Sequence, residues 1–521
     1  SSLSIGAVCL QKPFVMAILR QRKTDDVKGP AAAAAATEEP GMIWREDNGV
    51  SKLEPVYPRL PKRLEGKPLP KFTVAQVAEH CTSKNCWIIS DERVYDVTAF
   101  VQAHPGGVGP IVNMAGKDAS DVFANYHSAR VYRTMLPAYL VGEVTDVVVE
   151  PHVADFRNLR QKMLREGLFR TSFIYYAKLC TWMASLFFCS VALSVGAIGA
   201  GATWARLLGG ALMGVFWQQL AGLGHDLGHS GVTHDFHTDH MVGSALSCLM
   251  GLSVGWWKSD HNTHHVVCNA IEHDPNIQHM PLLAITPKIF EKPFWDTYHK
   301  KVVGMDRIAR ALVSNQHLFF YPFMAFARWN LYIQGIIFLL AQPDKLHYWK
   351  TELAGIIFFF VWVFSLAFSM PTWGMAVAWI VVSHAVAGIL HVQIVLSHWA
   401  METYHGSPYT TKETEWYLMQ LRTTMNVATP PCLDFVHIGL QFQIEHHLFP
   451  RLPRHNLRKA RIEVQAICKK HGIHYHEPGF FAGNFEMWKA LKATALAARK
   501  TKCGDAGFFQ SALWEGLNIV G

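Results

Sequence analysis

Residues 225–265 read HDLGHSGVTHDFHTDHMVGSALSCLMGLSVGWWKSDHNTHH, and they contain His225, His229, His234, His237, His240, His261, His264 and His265. His225 and His229 are four residues apart, so on a helix their rings share one face. His261 faces His264 and His265 at spacings of three and four. The same geometry returns in QIEHH, residues 443–447, where Gln443 lies opposite His446 and His447. Neutral imidazole is the commonest metal ligand, and an amide carbonyl can bind through oxygen. Seven histidines and one glutamine exceed the needs of one ion and suit two transition-metal ions. A lone histidine is more often a packed or capping residue; three clusters of one spacing in an apolar chain are not. His234, His237 and His240 stray around a helix in the polar run THDFHTDH, and are expected behind the ligands or at the surface.

The surroundings of these clusters are membrane-like. Hydrophobic residues make up 50% of the chain and the mean hydropathy is +0.11. The net charge of +8 comes without long basic tracts interleaved with aromatics, which argues against nucleic acid and for an anionic membrane surface. Ten cysteines form no CxxC pair, so reduced thiols are expected. A span needs about 20 apolar residues. Residues 179–203 and 207–223 therefore predict one crossing hairpin with its turn at Arg206, and residues 353–370 and 374–396 a second. Residues 241–257 are apolar but short. A crossing there would separate the clusters, so an interfacial or re-entrant segment is expected, as it is for residues 317–341. Two hairpins return the chain to one side. Lysines and arginines crowd residues 157–178, 258–350 and 451–470, which marks that side as cytosolic.

His398 ends the last span on the same face, and an ionisable residue at membrane depth is a functional candidate. It is expected as a further ligand, His391 is left open, and His384 is expected to pack in the bundle. Residues 157–170 predict a basic amphipathic helix on the bilayer surface. The basic residues after the third cluster are expected to meet lipid head groups.

The N-terminal part is polar. Residues 1–70, with alanines at 31–36 and recurrent prolines, predict a disordered tail and linker. Residues 1–24 lack acids and faintly resemble a transit peptide; a plain upstream extension is the favoured reading. Residues 71–146 form a small α+β domain that reads KFTVAQVAEH, then CWIISDERVYDVTAF, HPGG at 104–107 and AGKDASDVFANYHS at 115–128. Gly106 and Gly107 allow the backbone to approach something flat and close. The whole pattern resembles the cytochrome b5 family. That resemblance implies haem b with His104 and His127 as axial ligands, an arrangement that leaves no position for oxygen and moves electrons. Residues 147–178 then connect to a membrane domain at 179–500, followed by a tail at 501–521.

A fused electron carrier makes sense only if the other metal site consumes electrons. The metals should be redox-active, the ligand type allows iron, O2 is the natural oxidant, and a lipid acyl chain is what a membrane cleft meets. Across residues 71–499 the order of HPGG and the three clusters, with WWKSDHNTHHVVCN, HDPNIQ and GLQFQIEHHLFPRLPR, resembles the cytochrome b5-fusion front-end desaturases. Gln443 in place of a first histidine is a mark of that group. The resemblance implies a di-iron centre on His225, His229, His261, His264, His265, His446 and His447, with Gln443 as an oxygen ligand or just behind. It also implies NADH–cytochrome b5 reductase as a separate donor. The new double bond falls on the carboxyl side of an existing one (delta-5 or delta-6 type), or at delta-8 of a sphingoid base. Asp226, Glu445 and Asp260 are candidates to orient imidazoles; Asp226 and Glu445 are equally candidates for solvated residues. A lipid hydroxylase, a zinc lipid hydrolase and a non-catalytic membrane haem protein rank below. The endoplasmic reticulum is the expected membrane, with a plastid membrane as the alternative.

Overall fold

The first described element is a hairpin of β1 (Met42–Asp47) and β2 (Val50–Pro55), closed by Asn48 and Gly49 at φ 51° and 76°. Asn-Gly is the sequence that a tight hairpin turn of this handedness demands. The structure is a computed structural model that describes residues 42–57 and 59–502. The expectations for residues 1–24, the alanine run and the tail beyond 502 lie outside the described residues. The hairpin corrects the expectation of disorder through residue 70 in part. Its strands bury Arg45, Glu46, Asp47 and Glu54, so apolar alternation gave no strand signal.

The small domain follows, with β3 (Lys71–Phe72), α1 (Val74–Ala78), β4 (Cys81–Thr82), β5 (Asn85–Ser90) and β6 (Arg93–Asp96). It continues through α2 (Val108–Asn113), β7 (Lys117–Asp118), α3 (Ser120–Tyr126), α4 (Ala129–Thr134) and β8 (Leu140–Val144). The sheet runs β3-β8-β6-β5-β4, with β7 parallel to β5. Alternation along β5 sends Cys86 and Ile88 to one face and Ile89 to the other, where it packs with Val77 and Val94.

Helix α5 (Pro151–Arg165) joins this domain to the rest. It does not lie free on a bilayer surface. Val153, Phe156, Leu159 and Met163 are buried, Arg157 grips Asp121 through two hydrogen bonds of 2.7 and 2.8 Å, and Lys162 pairs with Glu463 at 2.7 Å. An amphipathic pattern serves a protein groove as well as a lipid surface, which is why the sequence misled.

The larger, helical half begins with α6 (Phe173–Val195), α7 (Thr203–Gly228), α8 (Phe236–Ala245), α9 (Ser247–Met250) and α10 (Val254–Val266). A hairpin of β9 (Phe294–Asp296) and β10 (Lys301–Val303) precedes α11 (Arg307–Val313), α12 (Gln316–Met324) and α13 (Ala327–Ala341). Then come α14 (Trp349–Phe368), α15 (Trp373–Ala387), α16 (Ile389–Trp399), α17 (Trp416–Thr423), α18 (Asp434–His437), α19 (Gln443–Leu448), α20 (Leu457–His471) and α21 (Phe480–Lys500). Among the described residues, four segments are long and apolar enough to cross a membrane: Phe173–Gly201, Thr203–Gly228, Trp349–Phe368 and Trp373–Trp399. A fifth arises only if α12 and α13, bent by 72°, count together. The stretch 241–257 is broken among α8, α9 and the first turn of α10, each too short to cross.

Two charged features differ from expectation. The first turn lies at residues 196–202, ahead of Arg206, whose guanidinium donates to the Ser194 carbonyl at 2.7 Å and the Gly201 carbonyl at 3.2 Å. The cation caps the end of α6 and so sits inside α7. Three arginines after residue 450 face carboxylates: Arg451 pairs with Glu46 at 2.7 Å, Arg454 with Asp226 at 2.6 Å and Arg458 with Asp434 at 2.5 Å.

Close helix packing brings the cluster-bearing ends together. A Cβ on Gly214 of α7 would lie 2.5 Å from the Ser383 carbonyl of α15, and neither backbone can yield. Gly214→Val should cost about 1–3 kcal/mol and lower the melting temperature in detergent; unchanged melting would contradict this contact.

Candidate metal centre

In the small domain, His104 Nδ1 donates to the Gly107 carbonyl at 2.7 Å, and His127 Nδ1 donates to the Phe123 carbonyl at 3.1 Å. Committing Nδ1 in this way leaves Nε2 with the ligand lone pair on both rings. The ring centroids stand 6.1 Å apart, a gap that admits a metal bonded to both. Burial lowers the His104 pKa and carries His127 down to about 3, so both rings are neutral, as ligands must be. A Cβ on Gly106 would come within 2.8 Å of His104 Cε1, and Gly107 has φ 93°. Glycine at both positions lets the loop fold beneath His104.

The histidine clusters arrive on α7, α10, α16 and α19. His225, His229, His261 and His446 offer ligand atoms all within 4.8 Å of one another, and His264, Cys268, His398 and His447 form a second such group. His265 lies between the groups, with Nε2 at 3.0 Å from Nε2 of both His261 and His446 and its ring stacked 4.0 Å from His447. Nε2 of His225, His229 and His447 is buried without a partner. The His265 Nε2 atom, 3.0 Å from each of two neighbouring Nε2 atoms, together with the orphaned nitrogens, forms a donor set for cations. Both groups fit a metal ion.

Other residues orient these rings. His264 Nδ1 donates to Asp274 at 2.9 Å, His447 Nδ1 donates to the Gln420 side-chain carbonyl at 2.9 Å, and His261 Nδ1 reaches Asn276 at 3.4 Å. Sequence reasoning had named none of the three for this role. Cys268, also unnamed there, stands four residues beyond His264, its Sγ 3.4 Å from His398 Nδ1. The carboxylates that it did name behave differently. Asp226 is buried and accepts from Tyr176 at 2.7 Å and Arg454 at 2.6 Å. Glu445 accepts from Asn426 at 2.8 Å and Tyr475 at 2.7 Å, and burial pushes its carboxyl up to about 7. Neither is solvated; Asp226 Oδ1 also stands 3.7 Å from Nδ1 of His225, on the side from which it can orient that ring, whereas the partners of Glu445 are Asn426 and Tyr475. Asp260 accepts from Asn276.

Among the remaining histidines, His234 is buried against Glu46 and Thr171, His240 is buried beside Tyr348, and His237 is exposed. His384 stacks on Trp329 at 4.6 Å, in keeping with packing. His391 is buried with both ring nitrogens unpartnered and stands outside both groups.

A cavity of about 590 Å³ opens beside the clusters, lined by His225, His261, His264, His398, His446 and Gln443. Apolar walls from Trp256, Phe323, Trp329, Ile333 and Leu390 continue it. Its size and apolarity are those of a small-ligand site.

Residues 202–479 match the family model described as "Fatty acid desaturase", and residues 73–145 match "Cytochrome b5-like Heme/Steroid binding domain". The chain belongs to the fatty acid desaturase family. An "Acyl-lipid (9-3)-desaturase" of Borago officinalis is 35% identical over 86% of this chain and 98% of its own length. A "Delta(8)-fatty-acid desaturase" of Helianthus annuus is 34% identical over 86% and 96%. A "Delta 8-(E)-sphingolipid desaturase" of Kluyveromyces lactis is 39% identical over 73% of this chain and 65% of the relative. This desaturase is therefore a membrane oxidoreductase of the cytochrome b5-fused, front-end type, using O2 on a lipid acyl substrate, with a haem domain for electron transfer. The hydroxylase, hydrolase and non-catalytic readings give way.

The geometry yields two predictions. His127→Ala should abolish the haem absorbance while non-haem metal content stays unchanged; full haem retention would contradict the ligand pair. Asp274→Asn should lower metal affinity or activity by about 10–100-fold, read by metal analysis after dialysis, and full retention would deny Asp274 its orienting role.

Proposed function

We propose that this desaturase inserts a double bond into an acyl chain on the carboxyl side of an existing one. The reaction consumes O2, two electrons and two protons, removes two hydrogens from adjacent methylenes and releases two waters. The observation that carries the reading is the placement of two four-residue ligand groups beside an apolar cavity, which His225, His261, His446, His264 and His398 line, in a chain with its own paired-histidine b5-like domain.

His225, His229, His261 and His446 would hold one iron ion, and His264, His398 and His447 the other, with His265 between them. Gln443 faces the same cavity as an oxygen donor. Bound there, a pair of iron ions would supply oxygen activation and removal of hydrogen from unactivated carbon. The chain's own residues do the rest. Asp274 holds the proton on His264 Nδ1, and Gln420 holds the one on His447 Nδ1, so both rings turn Nε2 inward. The apolar walls take up the acyl chain, exclude water and fix which methylenes stand beside the histidines.

His104 and His127 would hold a haem that takes up single electrons, with NADH and a separate cytochrome b5 reductase as their source. The four apolar segments are two hairpins that cross and return, which leaves the haem domain and all clusters on the cytosolic face of the endoplasmic reticulum membrane. A sphingoid long-chain base, desaturated at delta-8, is the second reading, favoured by the relatives of that printed activity.

Expression in a desaturase-poor yeast fed unsaturated fatty acids, with double-bond localisation in fatty acids and long-chain bases, tests the proposal. A new bond nearer the carboxyl end, lost in His446→Ala, is the expected result. A bond only in the sphingoid base would select the second reading, and a hydroxylated product would overturn both.

A further inference from the structure

The hairpin β1–β2 lies outside both family matches, yet it touches both halves of the chain. Toward the haem domain, Asp47 accepts from Arg133 at 2.7 Å, Glu54 pairs with the same guanidinium at 3.0 Å, and Arg45 pairs with Asp91 at 2.8 Å. The Arg45 guanidinium also lies 3.4 Å over the Tyr132 ring. Toward the catalytic half, buried Glu46 pairs with Arg451 at 2.7 Å and faces His234 at 3.5 Å. The Trp44 amide and Ser51 hydroxyl donate to Gln161 and the Leu164 carbonyl of α5 at 2.7 and 2.6 Å. Buried carboxylates persist only where such partners compensate their desolvation.

Between these anchors the haem-ligand loop rests on α10, the helix that carries His261, His264 and His265. A Cβ on Gly109 would fall 2.4 Å from Thr263 Oγ1, and one on Gly107 would fall 3.3 Å from Ser259 Oγ. Asn262 donates to the Gly106 carbonyl at a long 3.4 Å. On the His127 side, the ring of Tyr126 meets the His265 ring edge-on at 6.1 Å. The polar part of this contact is glycines, hydroxyls and one long hydrogen bond, beside an apolar core in which Val266 and Val267 join Met114 and Val122, so it contains no charge-assisted bond of its own. The strong charge-assisted bonds lie beside it, in the hairpin and in α5.

We propose that the β1–β2 hairpin is a clasp that fixes the haem-ligand loop against α10, with Glu46, Asp47 and Glu54 as positioning residues for internal electron delivery. The proposal rests on the redox function given above. Each transfer oxidises the haem by one electron and reduces the histidine-held metal by one, twice per double bond; the clasp exchanges none. Tunnelling falls steeply with distance, so a haem domain that lifts from α10 delivers slowly.

The test uses the full-length holoenzyme carrying Asp47→Arg with Glu54→Arg, which sets cations against Arg133, and the same protein with Arg133→Glu added to restore attraction. Amide exchange of residues 104–113 and the single-turnover oxidation rate of pre-reduced haem are measured, alongside the haem spectrum and midpoint potential. The reversed variant should keep its spectrum and potential, exchange faster in the loop and oxidise its haem about tenfold more slowly or worse, and Arg133→Glu should return both towards wild type. With reduced free cytochrome b5 supplied, it should still form product, because the catalytic half is untouched. Unchanged exchange and oxidation would overturn the clasp, and so would loss of haem from both variants, which would make the hairpin part of the haem fold. Haem oxidation that ignores His446→Ala would count against the redox function instead, leaving loop exchange to judge the clasp.

Discussion

Around His265 the lone pairs of neighbouring imidazoles are forced together. Its Nε2 stands 3.0 Å from those of His261 and His446, while Nε2 of His225, His229 and His447 has no protein partner. Each buried polar atom left unsatisfied costs about 1–3 kcal/mol, and a fold would not gather so many without return. Cations at the two groups would turn that cost into ligation. Much of the catalytic half serves this convergence: α7 and α15 approach through Gly214, and α10 and α19 bring His261, His265 and His446 to His225 and His229.

The rest of the chain supplies this centre. The apolar segments give it a water-poor wall, and the proposed acyl chain would lie in the cavity that five of the clustered histidines line. The haem domain supplies the electrons. Its ligand loop lies on the same helix that bears three of the metal-facing histidines, so the two redox sites share a structural element. Arg451 and Arg454, just beyond the third cluster, tie that cluster's strand of chain to Glu46 and Asp226. Binding, electron supply and metal ligation thus meet around α10 and α19.

Much of this was legible in the sequence, because helical spacing is a local property. HDLGH, HNTHH and QIEHH declare their ligands by i, i+3 and i+4 relations, and HPGG declares a loop closed over a flat group. His398 could be inferred from its place at the end of an apolar run. Cys268, Asp274 and Gln420 could not be assigned, since their roles come from contacts between distant segments. The pattern of residues 157–170 fits a lipid surface and a protein groove equally, and only Asp121 and Glu463 decide between them. The hairpin at 42–55 is built from charges whose partners lie 40 to 400 residues away, roughly the separations of Asp91 and Arg451. Periodicity has nothing to say about it.

The central claim is that the histidine groups hold a pair of redox-active irons fed by one haem. Metal and haem analysis of the purified protein tests it most directly. The account predicts two non-haem irons for each haem, with the non-haem iron lost and the haem kept in His446→Ala with His447→Ala. Zinc in place of iron, or a single ion indifferent to those substitutions, would contradict it.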